Sequence, residues 1–258
     1  MSDARSLDDA LAEARRLVRL ADVRKLVVRL LGGLAFQAQV PSWTPPPDRQ
    51  GRDIDLATRS RDRRPLEALL AACGYEPDRQ YNALHGHKQL YFVDRRTQRP
   101  VDVLVDRFEM CHRFEFGDRL LIDPLTLPLA DLLLSKLQIV KINRKDLLDI
   151  VILVCEHELS DDDAGGISLA RVASMTSANW GWWRTLGGNL DRLQSFVRDE
   201  WQPEAFAVWA RHDPVEQLSA IRAAIDLAPK SVAWRLRAAI GDRAAWYDEP
   251  EEVGHGAT

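Results

Sequence analysis

The feature that most constrains the fold is a change of hydrophobic period partway along the chain. Before the run "LIDPLTLP", Leu121–Pro128, short valine- and leucine-rich stretches alternate with helical segments. After it, apolar residues recur only at three- and four-residue steps, the period of an α-helix. The stretches "KLVVRLL", "DIDLAT", "KQLYFVD" and "PVDVLVD" read as strands. Ser6 is read as the cap of a first helix, and "LAFQAQV" as a helix start after the turn at Gly32-Gly33. "RDRRPLEALLAACGY" reads as a helix with Pro65 in its first turn and Gly74 at its end. "PSWTPPPDRQG", Pro41–Gly51, is a stiff loop, because proline has no N–H to donate and a fixed φ. "LADLLLSKLQIVKI" and "RKDLLDIVILVCEHEL" are helices, "SDDDAGG" a linker, and "DEPEEVGHGAT" a disordered end. The expected fold is α/β: a small mixed β-sheet flanked by helices, followed by an all-helical C-terminal region. The expected division is an N-terminal helix (1–24), a sheet core (25–125), a helical domain (126–248) and a tail (249–258).

Composition excludes some classes. Hydrophobic residues make up 46% and charged residues 29%, a globular balance. The formal charge of -4 argues against binding nucleic acid through bulk charge, though not against a local basic patch. No apolar run reaches the ~18 residues of a membrane span. The opening residues are charged, with no apolar leader core. Cys73, Cys111 and Cys155 are scattered and odd in number, which suits a reducing cytosol better than a disulfide framework. A cytoplasmic protein with no membrane partner is expected.

Two strands carry aspartates where apolar residues would be at home. In "DIDLA", Asp53 and Asp55 fall two residues apart, on one face of an extended chain, while Ile54 and Leu56 take the other. Their Cα atoms would lie roughly 6–7 Å apart, close enough to share one or two divalent cations. Without a cation the like charges repel and one carboxylate tends to take up a proton. Oxygen-only ligands favour Mg²⁺ or Mn²⁺. Asp102, flanked by valines in "VDVLVD", is the candidate third carboxylate, and Asp106 falls at the strand end. A strand running into Gly32-Gly33 and then a helix leaves amide N–H groups at a helix N-terminus, where the helix dipole attracts phosphate and glycine allows close approach.

Together "LLGGLAF", "RDIDLA" and "PVDVLVD" resemble the nucleotidyltransferase superfamily, with its glycine pair, acidic-x-acidic strand and later acidic strand residue. "SKLQIVKINRKDLLDIVIL" extends the likeness to the lysine and KD-x-x-D helices of AbiEii-type nucleotidyltransferase toxins. The resemblance covers about residues 25–154. It implies a nucleotidyltransferase-like sheet and a metal-dependent enzyme that transfers a nucleoside monophosphate from an NTP to a hydroxyl. Gly32 and Gly33 would contact the phosphates. Asp53, Asp55 and Asp102 would bind Mg²⁺ or Mn²⁺, and Asp102 would draw the proton from the attacking hydroxyl. Lys136 and Lys145 would contact the triphosphate, and Asp146 and Asp149 would belong to the helical motif. Arg52, which opens "RDIDLA", is a further site candidate. The chain departs from the superfamily in having a second glycine where serine is common, and a long proline-rich loop before "DID". The implied acceptor is a tRNA or other RNA end, or a protein side chain, with a cognate antitoxin as partner. A small-molecule acceptor of the aminoglycoside type and a non-catalytic nucleotide-binding module with the same fold are the alternatives.

Other residues have plainer readings. Arg59, Arg61, Arg63 and Arg64 could form an electropositive rim near the carboxylates, but read more simply as a solvated helix start. "HGHK", His85–Lys88, reads as a turn before a strand. Cys111-His112 and Cys155-x-His157 lack further ligands at zinc-site spacing. Lys145, Asp146 and Asp149 read from spacing alone as one solvent face of a helix. Most of the eight tryptophans follow Asn179, and "NWGWWR" reads as a packing seam.

Overall fold

The structure is a computed structural model that describes residues 7–43, 53–200 and 210–249. The expected Ser6 cap, the proline-rich loop from 44 to 52 with Arg52, and the tail from 250 lie outside the described residues. Helix α1, Leu7–Val23, buries Ala10, Ala14, Leu17, Val18 and Ala21 along one face. Lys25 closes it in the left-handed region at φ 59°, with Leu26 N–H donating to Ala21 O. Those residues are spent on the helix end, so strand β1 spans only Val28–Leu31 and not the whole of "KLVVRLL". Helix α2 follows at Gly32–Gln39 and strand β2 at Ile54–Thr58. Helix α3 covers Ser60–Ala72 and starts earlier than expected, which puts Pro65 in its second turn.

Two short elements then appear that periodicity did not reveal: strand β3, Tyr75–Pro77, and helix α4, Arg79–His85. Strands β4, Gln89–Asp94, and β5, Pro100–Val105, form the expected hairpin. Asp106, at φ 62°, ends it and leads into a further small hairpin of β6, Arg107–Glu109, and β7, Arg113–Glu115. A 3-10 turn at Gly117–Leu121 precedes helices α5, Leu129–Leu137, and α6, Arg144–Glu156. The run read as a linker instead joins two-residue strands, β8 (Leu159–Ser160) and β9 (Ile167–Ser168), paired in parallel. Helices α7 (Leu169–Ala178), α8 (Trp180–Asp199), α9 (Pro214–Leu227) and α10 (Val232–Ile240) follow. Ser168, Asn179, Asp213 and Ser231 cap them in turn.

The main sheet has the order β1-β2-β5-β4-β3, with β2 and β5 parallel and the other neighbours antiparallel. The mixed α/β class and the helical second half are therefore as expected. The outer edge of β1 is covered: Leu30 N–H donates to Leu125 O at 2.8 Å, and Leu127 N–H to Leu30 O at 2.9 Å. One contiguous apolar core runs from Leu30, Leu56, Val103 and Phe92 in the sheet to Leu133, Ile152, Leu190 and Ile221 in the helices. Trp180 and Trp182 are buried, the latter against the rings of Phe114 and His112, in keeping with a packing seam. Among the described residues no helix is long and apolar enough to cross a membrane.

A buried ion network ties the helical half to its neighbours. Asp131, 1% exposed, accepts from Arg119 Nε at 2.6 Å and Arg171 Nε at 3.0 Å, and Arg119 also holds Asp163. Removing the shared carboxylate strands charge in the interior. Asp131→Ala is expected to lower unfolding free energy by about 3 kcal/mol or more in denaturant melts; a loss of a few tenths would show that the network is solvated.

Candidate active site

The site is set by strand register. Antiparallel pairing of β1 with β2 puts Leu31 opposite Asp55, so Gly32, the next residue, lies against the aspartate. A Cβ at Gly32 would fall 1.8 Å from Asp55 Oδ2, and the residue sits at φ 65°. Glycine is thus required here twice, by backbone conformation and by contact. Gly33 faces open space. Helix α2 starts from Leu31 with no side-chain cap and no acidic residue of its own in the first turn. Its first amides depend on partners from outside the helix.

Parallel pairing of β2 with β5 places Asp55 beside Asp102. In both strands the neighbouring residues, Ile54, Leu56, Val101 and Val103, are fully buried, which turns the two carboxylates to the opposite face. Asp53 stands exposed just before β2. The like charges are felt: burial first, then Asp102, then Asp53 push the half-buried Asp55 up to about 7, against an opposing pull from Lys136. Tyr91, directly across the β4–β5 ladder from Asp102, is also raised, by desolvation and then by Asp102 and Asp53.

The helical motif converges on the same place. Lys136 on α5 sets its ammonium 2.6 Å from Asp146 Oδ1 and 3.2 Å from Asp149 Oδ2, both on α6. Burial opposes its charge, but Asp149 and Asp146 outweigh this and hold its pKa above the usual lysine value. It also lies 5.7 Å from the centre of the Phe36 ring of α2. Asp146 and Asp149 are buried, so the reading of a shared solvent face is overturned; Lys145 alone of the three is exposed. The backbone N–H of Lys145 is bonded to the Asn143 cap.

Other candidates separate from the site. The arginine run starts at the far end of β2, roughly 13 Å of strand from Asp55. There Arg59 pairs with Asp62 at 3.0 Å, and Arg63 donates to Gly86 O at 2.8 Å. These contacts organise the start of α3. His85 is the last residue of α4 and packs on Tyr81, and only residues 86–88 of that run form the turn before β4. Cys111 and Cys155 are buried, and His112 bonds Thr185 through Nε2. Sequence reasoning missed Gln89, whose Nε2 donates to Asp102 Oδ1 at 2.7 Å. The alternation in "KQLYFVD", which puts Gln89 and Tyr91 on one face of a strand hairpinned to the Asp102 strand, is the signal that could have found it.

Among the described residues no group of three His, Cys, Asp or Glu side chains is placed to hold a metal ion. The fit to a divalent cation rests on the adjoining Asp55 and Asp102, two hard-oxygen donors side by side on one face of the sheet. Mg²⁺ ordinarily takes one or two carboxylates and completes its shell with phosphate and water, so this donor set suits it.

Two outcomes follow. The raised pKa of Asp55 means that the folded chain keeps a proton that the unfolded chain releases between about 4 and about 7. That contribution is complete below the interval and lost as pH rises through it. Without divalent cations, wild type should therefore lose stability relative to Asp55→Asn as pH rises from 4 to 7, followed by denaturant midpoints; a pH-independent difference would contradict it. Gly32→Ala is expected to cost at least about 1 kcal/mol in the same melts, whereas Gly33→Ala should cost less.

No protein-family model matches the chain, and no curated protein matches it. Among solved structures, one described as an antigenic nucleotidyltransferase-like protein from Paracoccidioides brasiliensis is similar at 16% identity. The likeness covers 88% of this chain and 97% of that one, with a TM-score of 0.42. A likeness at this level speaks neither to substrate nor to chemistry, which rest on the side chains above.

Proposed function

We propose that the protein is a metal-dependent nucleotidyltransferase that moves a nucleoside monophosphate from an NTP to a hydroxyl acceptor. The observation that carries this reading is the register that sets Asp55 beside Asp102 and against Gly32 at the uncapped start of α2. In this reading a phosphate site and a cation site would adjoin, as phosphoryl chemistry requires and a purely structural acidic strand does not.

In this reading the first amides of α2 and the positive end of its dipole bind and orient the triphosphate. Asp55 and Asp102 would hold Mg²⁺ or Mn²⁺, while Asp53, exposed just before β2, adds negative charge near them. Bound there, the cation neutralises charge on the leaving pyrophosphate and acidifies the acceptor hydroxyl. The acceptor oxygen bonds to the α-phosphorus, the bond to pyrophosphate breaks, and Asp102 takes the hydroxyl proton. Lys136, fixed by Asp146 and Asp149, opposes part of the negative field at Asp55. Most of the rate gain is positioning and charge compensation. The sequence resemblance extends the proposal to an RNA end or a protein side chain as acceptor, to triphosphate contacts from Lys136 and Lys145, and to a toxin role with a cognate antitoxin.

The test supplies each α-labelled NTP with Mg²⁺ or Mn²⁺, total cellular RNA and total cellular protein. Wild type should transfer label, and Asp55→Asn and Asp102→Asn should each reduce transfer by about 100-fold or more. Label on RNA, on protein or on an added aminoglycoside identifies the acceptor. No transfer by wild type, or undiminished transfer by the variants, would overturn the reading.

A further inference from the structure

One hydrogen-bonded chain outside the residues assigned to nucleotide and cation ends on Asp102. Gln89 shares the site face of β4 with Tyr91, because Leu90 and Phe92 take the core positions. The β4–β5 register sets Tyr91 opposite Asp102 and Gln89 opposite Leu104, so Gln89 is diagonal to the aspartate. Across that diagonal Gln89 Nε2 donates to Asp102 Oδ1 at 2.7 Å, while Gln89 Oε1 accepts from Tyr81 OH at 2.9 Å. An amide carries donors on one side and an acceptor on the other. Turned over, it would aim a carbonyl oxygen at a carboxylate, so only one orientation satisfies both neighbours.

Tyr81 is itself held. It is buried, and its N–H donates to the Asp78 cap at 2.9 Å. The next residue, Asn82, grips the main chain of Tyr91 from both sides, accepting from Tyr91 N–H at 2.7 Å and donating to Tyr91 O at 3.1 Å. Asp78 N–H donates to the same carbonyl at 3.0 Å. Helix α4 is thus stitched to β4 at the residue that faces Asp102.

We propose that α4 is a brace for the carboxylate site: Tyr81 orients the Gln89 amide, and Gln89 holds Asp102 in the rotamer from which it takes a divalent cation beside Asp55. This rests on the reading of Asp55 and Asp102 as cation ligands. Gln89 and Tyr81 are positioning residues, since each acts through the next. Partners of this kind commonly change metal affinity by about 10–100-fold when removed.

The experiment titrates the full chain with Mn²⁺ and follows the free-ion signal by electron paramagnetic resonance, with thermal melts to verify folding. Gln89→Leu is expected to weaken Mn²⁺ binding about 10-fold, and Tyr81→Phe, which keeps the ring, to weaken it less. The double variant should bind no more weakly than Gln89→Leu alone, because the hydroxyl acts on Asp102 through the amide. A merely structural role would instead give additive losses, and that result overturns the brace. Unchanged affinity in Gln89→Leu or in Tyr81→Phe, with binding lost in Asp55→Asn and Asp102→Asn, also overturns it and leaves the cation site standing. Failure of wild type to bind Mn²⁺, or binding indifferent to both aspartates, overturns the site and the brace together. Mn²⁺ held as expected without label transfer to any acceptor counts against the enzymatic function alone.

Discussion

The main-chain ladder between β2 and β5 is the constraint on which the rest of the site depends. Side chains alternate along a strand with a period of two, so a slip of one residue in β2 would turn Ile54 and Leu56 outward and drive Asp55 into the core. Burial of Ile54, Leu56, Val101 and Val103 opposes that slip. The apolar residues on one face therefore decide where the carboxylates stand on the other. The β1–β2 ladder then delivers Gly32 to Asp55 without any contact made for that purpose alone.

Charge is the second constraint, and it crosses from one half of the chain to the other. Three aspartates near each other repel, and the lysine whose field opposes them comes from α5, in the helical half. Lys136 is a fixed charge, because Asp146 and Asp149 hold its ammonium and Phe36 lies near it. Helix α2, which begins at the glycine and carries Phe36, packs on both α5 and α6. The glycine, the carboxylates and the lysine are consequently parts of one packed unit with a shared core.

What could be read from the sequence was what local periodicity encodes. Asp55 and Asp102 interrupt apolar alternation, so their strands were legible before any fold was known, and the family resemblance suggested that they belong together. Gly32 was legible as the joint between a strand and a helix. Long-range pairing was not. Gln89 reaches Asp102 across a diagonal that depends on hairpin register, and Tyr81 reaches Gln89 from a helix of seven residues whose sequence has no clear period. The inward aim of Asp146 and Asp149 depends on Lys136 waiting on another helix, and spacing within α6 could not supply that. Local chemistry also misled in places. Lys25 closes α1 and shortens β1, and Asp163 is drawn to Arg119 within a run whose composition suggested a linker.

The sheet's outer edges have a consequence for the molecule among its own copies. Along β1 the main chain at Leu30 is already matched by Leu125 and Leu127. At the opposite margin β3 is three residues long and ends in Pro77, which has no N–H to offer. A sheet finished in this way gives a stray strand little template on either side. Concentrated solutions of the folded protein should thus be protected from strand-by-strand accretion, even though its interior is rich in the valine and leucine runs that favour it.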